Sequence, residues 1–458
     1  MLKVVVKNAD ELARKRGALA SVAAQWAPDL VRQAVDAQVA RQLRAQLKQQ
    51  GVKAEILIEP NPEKPAHNEK TPRRTPMILR WTLRVFIVLL LVLTALALTL
   101  KARYGGGEAF PDRSSTPRLP ASVLEVVADL PTPAGNIAVS ADGRVFATLH
   151  PEARPRNKIV EIVEGQARAW PSEEFQTGNG EPRYFRSVLS LRIDRQNRLW
   201  TLDNAHHGIE PGRLLAFDLA SGKVTHEYIF PKEIAGLGSH LNDFQVSADG
   251  QFIYIAEASF FAKTPALIVY DVQKQTARRL LERHPSVTAE RYTPVVQNRK
   301  MVAFGLVSIR PGVDSIALDS RGEWLYFAPV TNLHLYRIRA ADLRDERLSP
   351  AELAGRVEVF AAKTMSDGIT MDTDDNIYIS DPEHSAIVLL RPDRTLETLL
   401  RDDKLRWPDG FSFGPDGWLY VTCSSLHQII GRPPWTHDDH APYQIYRFKP
   451  GGQGAPGH

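Results

Sequence analysis

Cysteine is nearly missing. The 458 residues contain one, Cys423, so no intrachain disulfide can form and a closed apolar core must supply the stability. Cys423 sits inside a strand pattern and reads as a small buried apolar residue rather than a nucleophile. The short motifs of common chemistry are missing as well. No Gly-x-Ser-x-Gly elbow, Walker-type loop or Cys-x-x-Cys pair occurs, which removes support for a nucleophilic hydrolase of the common kind, a phosphate binder and a thiol redox enzyme. The histidines lack ligand spacing. His150, His240, His284 and His384 stand apart, and adjacent His206 and His207 would point to opposite faces of a strand. No strong excess of one charge is present either, the net charge being +4. Its distribution is uneven: residues 1–84 hold sixteen Lys/Arg against eight Asp/Glu, and the remainder is slightly acidic. That argues against a nucleic-acid partner.

One long apolar run is present. Residues 85–100 carry no charge, and with Trp81 to Leu83 they reach the roughly 20 residues a bilayer requires. Lys70, Arg73, Arg74, Arg80 and Arg84 precede the run, whereas Lys101 and Arg103 follow it. This asymmetry predicts a single-pass inner-membrane protein with a cytoplasmic N-terminus and a periplasmic C-terminal domain. A cleaved signal would need a start at Met77, and Ala95-Leu-Ala97 is a poor cleavage site. In front of the run, residues 2–6 and 53–59 read as short strands. Ala9–Ala27 and Asp29–Gln50 read as helices, Asp29 being placed to cap the second. The expected organisation is a small α/β or helical cytoplasmic module over 1–60, a basic linker over 61–80 and a transmembrane helix over 81–101. A second linker over 102–120, a β-domain over 121–450 and a disordered tail over 451–458 follow.

What the β-domain has in abundance is repetition. Ile137-Ala-Val-Ser-Ala-Asp-Gly-Arg-Val-Phe, Leu191-Arg-Ile-Asp-Arg-Gln-Asn-Arg-Leu-Trp and Phe244-Gln-Val-Ser-Ala-Asp-Gly-Gln-Phe-Ile-Tyr share one plan. So do Ile316-Ala-Leu-Asp-Ser-Arg-Gly-Glu-Trp-Leu-Tyr, Ile369-Thr-Met-Asp-Thr-Asp-Asp-Asn-Ile-Tyr and Phe411-Ser-Phe-Gly-Pro-Asp-Gly-Trp-Leu-Tyr. Each is a period-two strand, a turn on Asp, Asn or Gly, and a second strand. Six copies predict an all-β fold, a six-bladed β-propeller. The longest spacing, over Glu282–Gly312, should be an inter-blade loop covering one face. Val123–Leu130 precedes the first copy, and Tyr443–Lys449 supplies a late strand to the sixth. Because a propeller must hide its open edges, Val123–Leu130 should complete the sixth blade.

A propeller concentrates functional groups at the mouth of its channel. The position just before each inner strand reads Gly135, Leu189, Asn242, Asp314, Asp367 and Asp409. The following residues are Asn136, Ser190, Asp243, Ser315, Gly368 and Gly410. Four successive blades thus offer an amide or a carboxylate. Convergent oxygens suit a divalent cation such as calcium or zinc, or a polar organic ligand. Ordinary turn and capping chemistry for Asp-Gly stays open beside these readings.

Several blocks occur together and in order. They are Gly135-Asn-Ile-Ala-Val-Ser-Ala-Asp-Gly-Arg-Val-Phe, Leu241-Asn-Asp-Phe, Leu267-Ile-Val-Tyr-Asp, His284-Pro-Ser-Val, Leu325-Tyr-Phe-Ala-Pro and Ser366-Asp-Gly-Ile. Over residues 123–449 they resemble the major royal jelly protein/yellow family, in particular its bacterial dopachrome-tautomerase-related members. The resemblance implies a six-bladed propeller, usually exported. Some insect members are linked to dopachrome conversion, and some members from blood feeders bind biogenic amines in the channel. This chain lacks the disulfide-forming cysteines of the secreted insect members. A more distant resemblance is to the gluconolactonase/senescence-marker propellers, whose divalent ion uses a Glu, two Asn and an Asp. Asp367 matches the Asp, and Asn242 and Asp314 match the Asn positions, giving the metal-ligand candidates Asn242, Asp314 and Asp367. The first-blade Glu is replaced by Gly135 and Asn136.

The leading expectation is a membrane-anchored propeller that binds a small organic ligand through Asn136, His240, Asn242, Asp243, Asp314, Asp367 and Asp409. Whether it also catalyses stays open. A tautomerase or isomerase would need an acid and a base on opposite sides of the substrate, for which Asp367 with Asp409, or with His240, could serve. The alternatives are a gluconolactonase-like metal-dependent lactone hydrolase and a non-enzymatic protein-interaction scaffold.

Overall fold

The structure is a computed structural model and describes residues 2–4, 28–49, 56–58 and 77–455. Residues 1–87 and 88–458 form two compact units. In the first, the helix Pro28–Gln49 lies close to the expected Asp29–Gln50. Strands Leu2–Val4 and Ile56–Ile58 pair in parallel, Leu2 opposite Ile56. The expected helix Ala9–Ala27, residues 61–76 of the expected linker 61–80 and their cations Lys70, Arg73 and Arg74 lie outside the described residues, and residues 77–80 of that linker instead open the apolar helix. The apolar helix runs from Met77 to Tyr104, and its stretch Arg84–Tyr104 is long and apolar enough to cross a bilayer.

Six four-stranded antiparallel sheets make the six-bladed propeller. Their inner strands are Ala134–Val139, Val188–Ile193, Leu241–Val246, Val313–Leu318, Ile369–Met371 and Pro408–Phe413. Within each copy the alternating apolar residues fill the interface between neighbouring blades. Phe146, Trp170, Phe185, Leu191 and Phe217 join blades one and two. Ala317, Tyr326, Ile369 and Ile379 join blades four and five. The turn aspartates hold the hairpins. Asp194 Oδ1 accepts from the amides of Gln196 and Arg198, and its Oδ2 accepts from Trp200 Nε1 at 2.7 Å. Asp372 repeats this with Asp374, Asn376 and the Tyr378 hydroxyl. A side chain that satisfies turn amides explains why Asp recurs there.

Glu125–Leu130 is the outer strand of the sixth blade, paired antiparallel with Tyr443–Phe448 so that Leu130 faces Tyr443. The first strand of the domain thus closes the last sheet, as the need to hide an edge predicts. Ala128 and Leu130 join Ile137, Val139, Tyr443 and Ile445 in the core between blades six and one.

The segment expected as a linker over 102–120 is fastened to the propeller. Glu108 O accepts from Thr293 N at 2.9 Å, Phe110 is buried, and Leu119 N donates to Leu399 O at 2.8 Å. Of the expected tail, residues 451–455 are described, and Gln453 O accepts from both Thr373 N and Thr373 Oγ1. The long spacing between blades three and four folds into two small hairpins, Val295–Val296 with Arg299–Lys300 and Val302–Ala303 with Val307–Ser308. His284-Pro-Ser-Val is a capped 3-10 turn, its histidine Nδ1 accepting from Ser286 N at 3.3 Å.

Candidate functional site at the channel mouth

The inner strands reach the mouth through β-bulges. Register shifts fall between Ala134 and Ile137, Val188 and Ser190, Leu241 and Phe244, Val313 and Ser315, and Pro408 and Phe411. A bulge sets two residues against one and re-aims a side chain. It is these extra residues that carry Asn136, Asn242, Asp243, Asp314 and Asp409. Hydroxyls of the second strands stitch the bulges together. Thr148 Oγ1 accepts from Asn136 N and donates to Leu189 O, both at 2.8 Å. Ser380 Oγ accepts from Asp367 N and Gly368 N, each at 3.0 Å. The glycines after Asp367 and Asp409 serve close approach. A Cβ on Gly368 would lie 2.0 Å from Asp409 O, and one on Gly410 would lie 2.8 Å from Asn136 Cα. Ordinary turn chemistry is therefore not what these two Asp-Gly pairs do.

All seven expected ligand residues, Asn136, His240, Asn242, Asp243, Asp314, Asp367 and Asp409, line one cavity of about 550 Å³. Its floor is acidic and its walls are apolar, built from Phe260, Phe261, Phe304, Trp407, Leu426 and Ile429 among others.

One residue that backs the floor without lining the cavity escapes a reading of the repeats. Arg192 is almost fully buried on the second inner strand. The equivalent positions in the other blades are Ala138, Gln245, Ala317, Thr370 and Ser412. A lone arginine among small or uncharged residues was the signal available in the sequence. Its Nη1 donates to Asn136 Oδ1 and, at 2.9 Å, to Leu191 O. Its Nη2 lies 3.6 Å from Asp243 Oδ2. Asn136 Nδ2 donates to Asp243 Oδ1 at 2.6 Å. Burial pulls the guanidinium pKa down while Asp243 and Asp409 hold it up, and an arginine stays charged through such shifts.

Four buried carboxyls around one guanidinium cannot all ionise comfortably. Burial pushes Asp314 and Asp409 well above the usual carboxylate range, and Asp367 reinforces both shifts. Asp243 is raised by burial and restrained by Arg192. Asp367 is raised to about 6, chiefly by burial, against the stabilising donation from Trp407 Nε1. Asp314 in its acid form donates to Asp367. With Asp367 at about 6 in the fold and 3.8 as its ordinary value, the native state holds a proton in that window that the unfolded chain has lost. Its ionisation therefore costs stability as pH rises through about 6, and the cost disappears as pH falls toward 4. Accordingly Asp367→Asn should raise stability near pH 8 by about 1–3 kcal/mol and change little near pH 4. Urea denaturation at the two pH values measures this, and equal effects at both would contradict the shared-proton floor.

Trp407 is held at φ 61°. A bulky residue there costs about 1–3 kcal/mol and is retained where the surroundings impose it. Its ring stacks on His427 at 6.4 Å while its indole N–H serves Asp367.

Residues that sequence spacing set apart also meet here. His150, Glu152, His207 and His240 come from the first three blades and line the same cavity. His207 Nε2 lies 3.1 Å from Glu152 Oε1, and the His207 and His240 rings pack edge-on at 4.6 Å. Ala205, His206 and His207 all have positive φ, 49°, 57° and 58°, and this left-handed turn presents His207. Burial depresses His150 to about 4 and His240 to about 3, so both are neutral near pH 7. His207 pulls Glu152 down to about 2. Loops from separate blades carried no joint spacing signal. Among the described residues no group of three or more His, Cys, Asp or Glu is arranged to hold a metal ion.

Fold and cavity together define a six-bladed propeller with an acidic, aromatic-walled channel mouth. The family described as Major royal jelly protein matches residues 186–433, more than half of the chain, and the chain belongs to that family. Over 159 residues it is 27% identical to major royal jelly protein 9 of Apis mellifera, a match covering 32% of this chain and 35% of that protein. The chain thus spans about a third of that relative's length. Among solved structures it is similar to a gluconolactonase of Xanthomonas campestris, with TM-score 0.46 and 13% identity over 75% of this chain and 97% of the other. It is also similar to a calcium-binding protein, regucalcin, of Agrobacterium tumefaciens, with TM-score 0.45 and 14% identity over 74% and 98%.

Proposed function

We propose that this chain is a membrane-anchored, extracytoplasmic propeller that binds a small organic ligand in the mouth cavity. The ligand has an apolar body and a cationic or hydrogen-bond-donating end. One observation carries the reading: a floor of four carboxyls, Asp243, Asp314, Asp367 and Asp409, backed by the buried cations Arg192 and Lys363, lies directly beneath aromatic walls. An organic cation lets these carboxyls give up their protons and pair with it, while its body covers the aromatic side chains. Family membership supports it, because amine-binding members exist.

A divalent ion fits the same donors less well. Asp243 already faces Arg192 and Asn136, Asp367 accepts from Trp407, and Asp314 shares its proton with Asp367. The oxygens that calcium or zinc would need are engaged, and no step of lactone hydrolysis is routed through Asn242, Asp314 and Asp367. For tautomerisation, Asp409 retains a proton to give and ionised Asp367 can take one. His240, neutral and with its pKa at about 3, is a poor base.

The test is a thermal-shift series on the full chain with tyramine, its neutral alcohol analogue and its carboxylate analogue. Tyramine should stabilise most and the carboxylate not at all. Indifference to ligand charge, or a larger shift with calcium, would overturn the reading. Conversion is followed separately, as loss of dopachrome's visible absorbance.

The excess of Lys and Arg before the apolar helix supports a propeller outside the cytoplasm. A reporter active only in the periplasm, fused after Pro450, should be active. A silent reporter on a well-expressed chain would contradict the placement.

A further inference from the structure

We infer that the mouth face of the propeller lies on the lipid bilayer, so that the cavity opens toward the membrane and draws its ligand from the lipid phase. This rests on the anchor and cavity readings above.

The exposed apolar side chains are segregated. Outside the helix and among the described residues, eight large apolar side chains are strongly exposed. Five of them, Ile209, Leu237, Phe261, Phe304 and Trp435, are 62–87% exposed, and Phe304 reaches 87%. All five sit on loops that leave a second or fourth strand or enter an inner strand, which is the mouth end of every blade. Phe261, Phe304 and Trp435 line the cavity itself. The other three, Val126, Ile229 and Val359, lie on outer strands. The opposite end carries none of the eight. It is formed by the polar Asp, Asn and Gly turns, among them Asp142, Asp249 and Ser320. Scattered exposed apolar residues need no account, whereas a set confined to one end marks an interaction surface.

The occupant is indicated by where the anchor ends. Tyr104, the last residue of the apolar helix, is bound at the mouth: its carbonyl accepts from Arg310 Nη2 at 2.7 Å. Lys263 Nζ lies 5.9 Å from the Tyr104 ring and 4.6 Å from that of Phe260, a cavity wall. A Cβ on Gly105 would meet Leu306 O at 2.5 Å. The chain therefore passes from membrane-spanning helix to cavity rim without a flexible spacer. Whatever plane the helix end occupies, the mouth loops share it. Aromatic side chains and basic groups such as Lys101, Arg103, Arg291 and Arg432, all exposed, are what an anionic lipid interface receives. A ligand with an apolar body and a cationic end partitions into that same layer, above the acidic floor.

The experiment uses the full chain in vesicles of phosphatidylcholine and phosphatidylglycerol. Cys423 is buried, so a single introduced cysteine can be labelled selectively with an environment-sensitive fluorophore. Phe304→Cys and Trp435→Cys report the mouth, and Ala141→Cys, in an exposed turn at the other end, is the control. Both mouth probes should be blue-shifted and quenched several-fold more strongly by spin-labelled lipid than the probe at position 141. Equal, water-like emission from all three on protein that floats with the vesicles would overturn the inference while leaving the anchor intact. Protein that fails to float, or that alkaline carbonate extracts, would overturn the anchor and this inference with it. Agreement of the two mouth variants guards against a local disturbance from either substitution.

Discussion

Deleting residues 120–131 should leave the propeller unable to fold cooperatively. The deletion removes the outer strand of blade six, Glu125–Leu130, and exposes the backbone of Tyr443–Phe448 along its whole length. It also removes Ala128 and Leu130 from the core between blades six and one. No disulfide ties the ends of this chain, so the strand adds to the direct blade-to-blade contacts, such as Val139 N donating to Ser412 Oγ, that hold the first and last blades together. A milder version gives a number: Leu130→Ala, at a fully packed site, should cost about 2–5 kcal/mol. Urea denaturation of the single variant and limited proteolysis of the deletion would check both. A deletion variant with the parent's melting temperature would show that closure does not depend on this strand.

The second large effect is expected at Arg192. Arg192→Met keeps the volume and removes the buried guanidinium that donates to Asn136 and faces Asp243 behind the cavity floor. Asp243 and Asp409 would then be buried without their cation. Removing one partner of a buried pair costs about 3–5 kcal/mol. The loss should be largest near pH 8 and should shrink toward pH 5, because the orphaned carboxyls escape the cost by taking protons. Adding Asp243→Asn should recover part of the stability, since the two residues interact directly and their effects should not add. Denaturation curves of the single and double variants at both pH values decide this. A pH-independent loss, or strict additivity, would mean that Arg192 acts through packing alone.

The propeller was legible because its physics repeats. Period-two strands around an Asp, Asn or Gly turn recur six times, and an unpaired strand before the first copy had one place to go. The candidate site was legible to the same degree, since equivalent positions in a radial repeat converge on one axis. What did not follow from the repeats is everything that breaks them. Arg192 differs from its five counterparts only in side chain, so its role depends on knowing which phase of the strand faces the channel. Trp407 reaches Asp367 through a left-handed backbone that no propensity favours. His150, His207 and His240 sit on loops of three blades and meet only once the blades are arranged in a ring. The two hairpins over 295–308 replace what composition presented as a loop, and they bring Phe304 to the mouth.

The central claim is that acidic groups on the cavity floor select a ligand by its positive charge. Isothermal titration of tyramine into the full chain, the Asp367→Asn variant and the Asp409→Asn variant tests it most directly. Asp-to-Asn substitution preserves shape while removing the ionised Asp367 in one variant and, in the other, the carboxyl of Asp409 that can ionise against a bound cation. Measurable binding by the parent, lost by ten-fold or more in each variant with folding intact, is the predicted result; unchanged affinity in both variants would contradict the account.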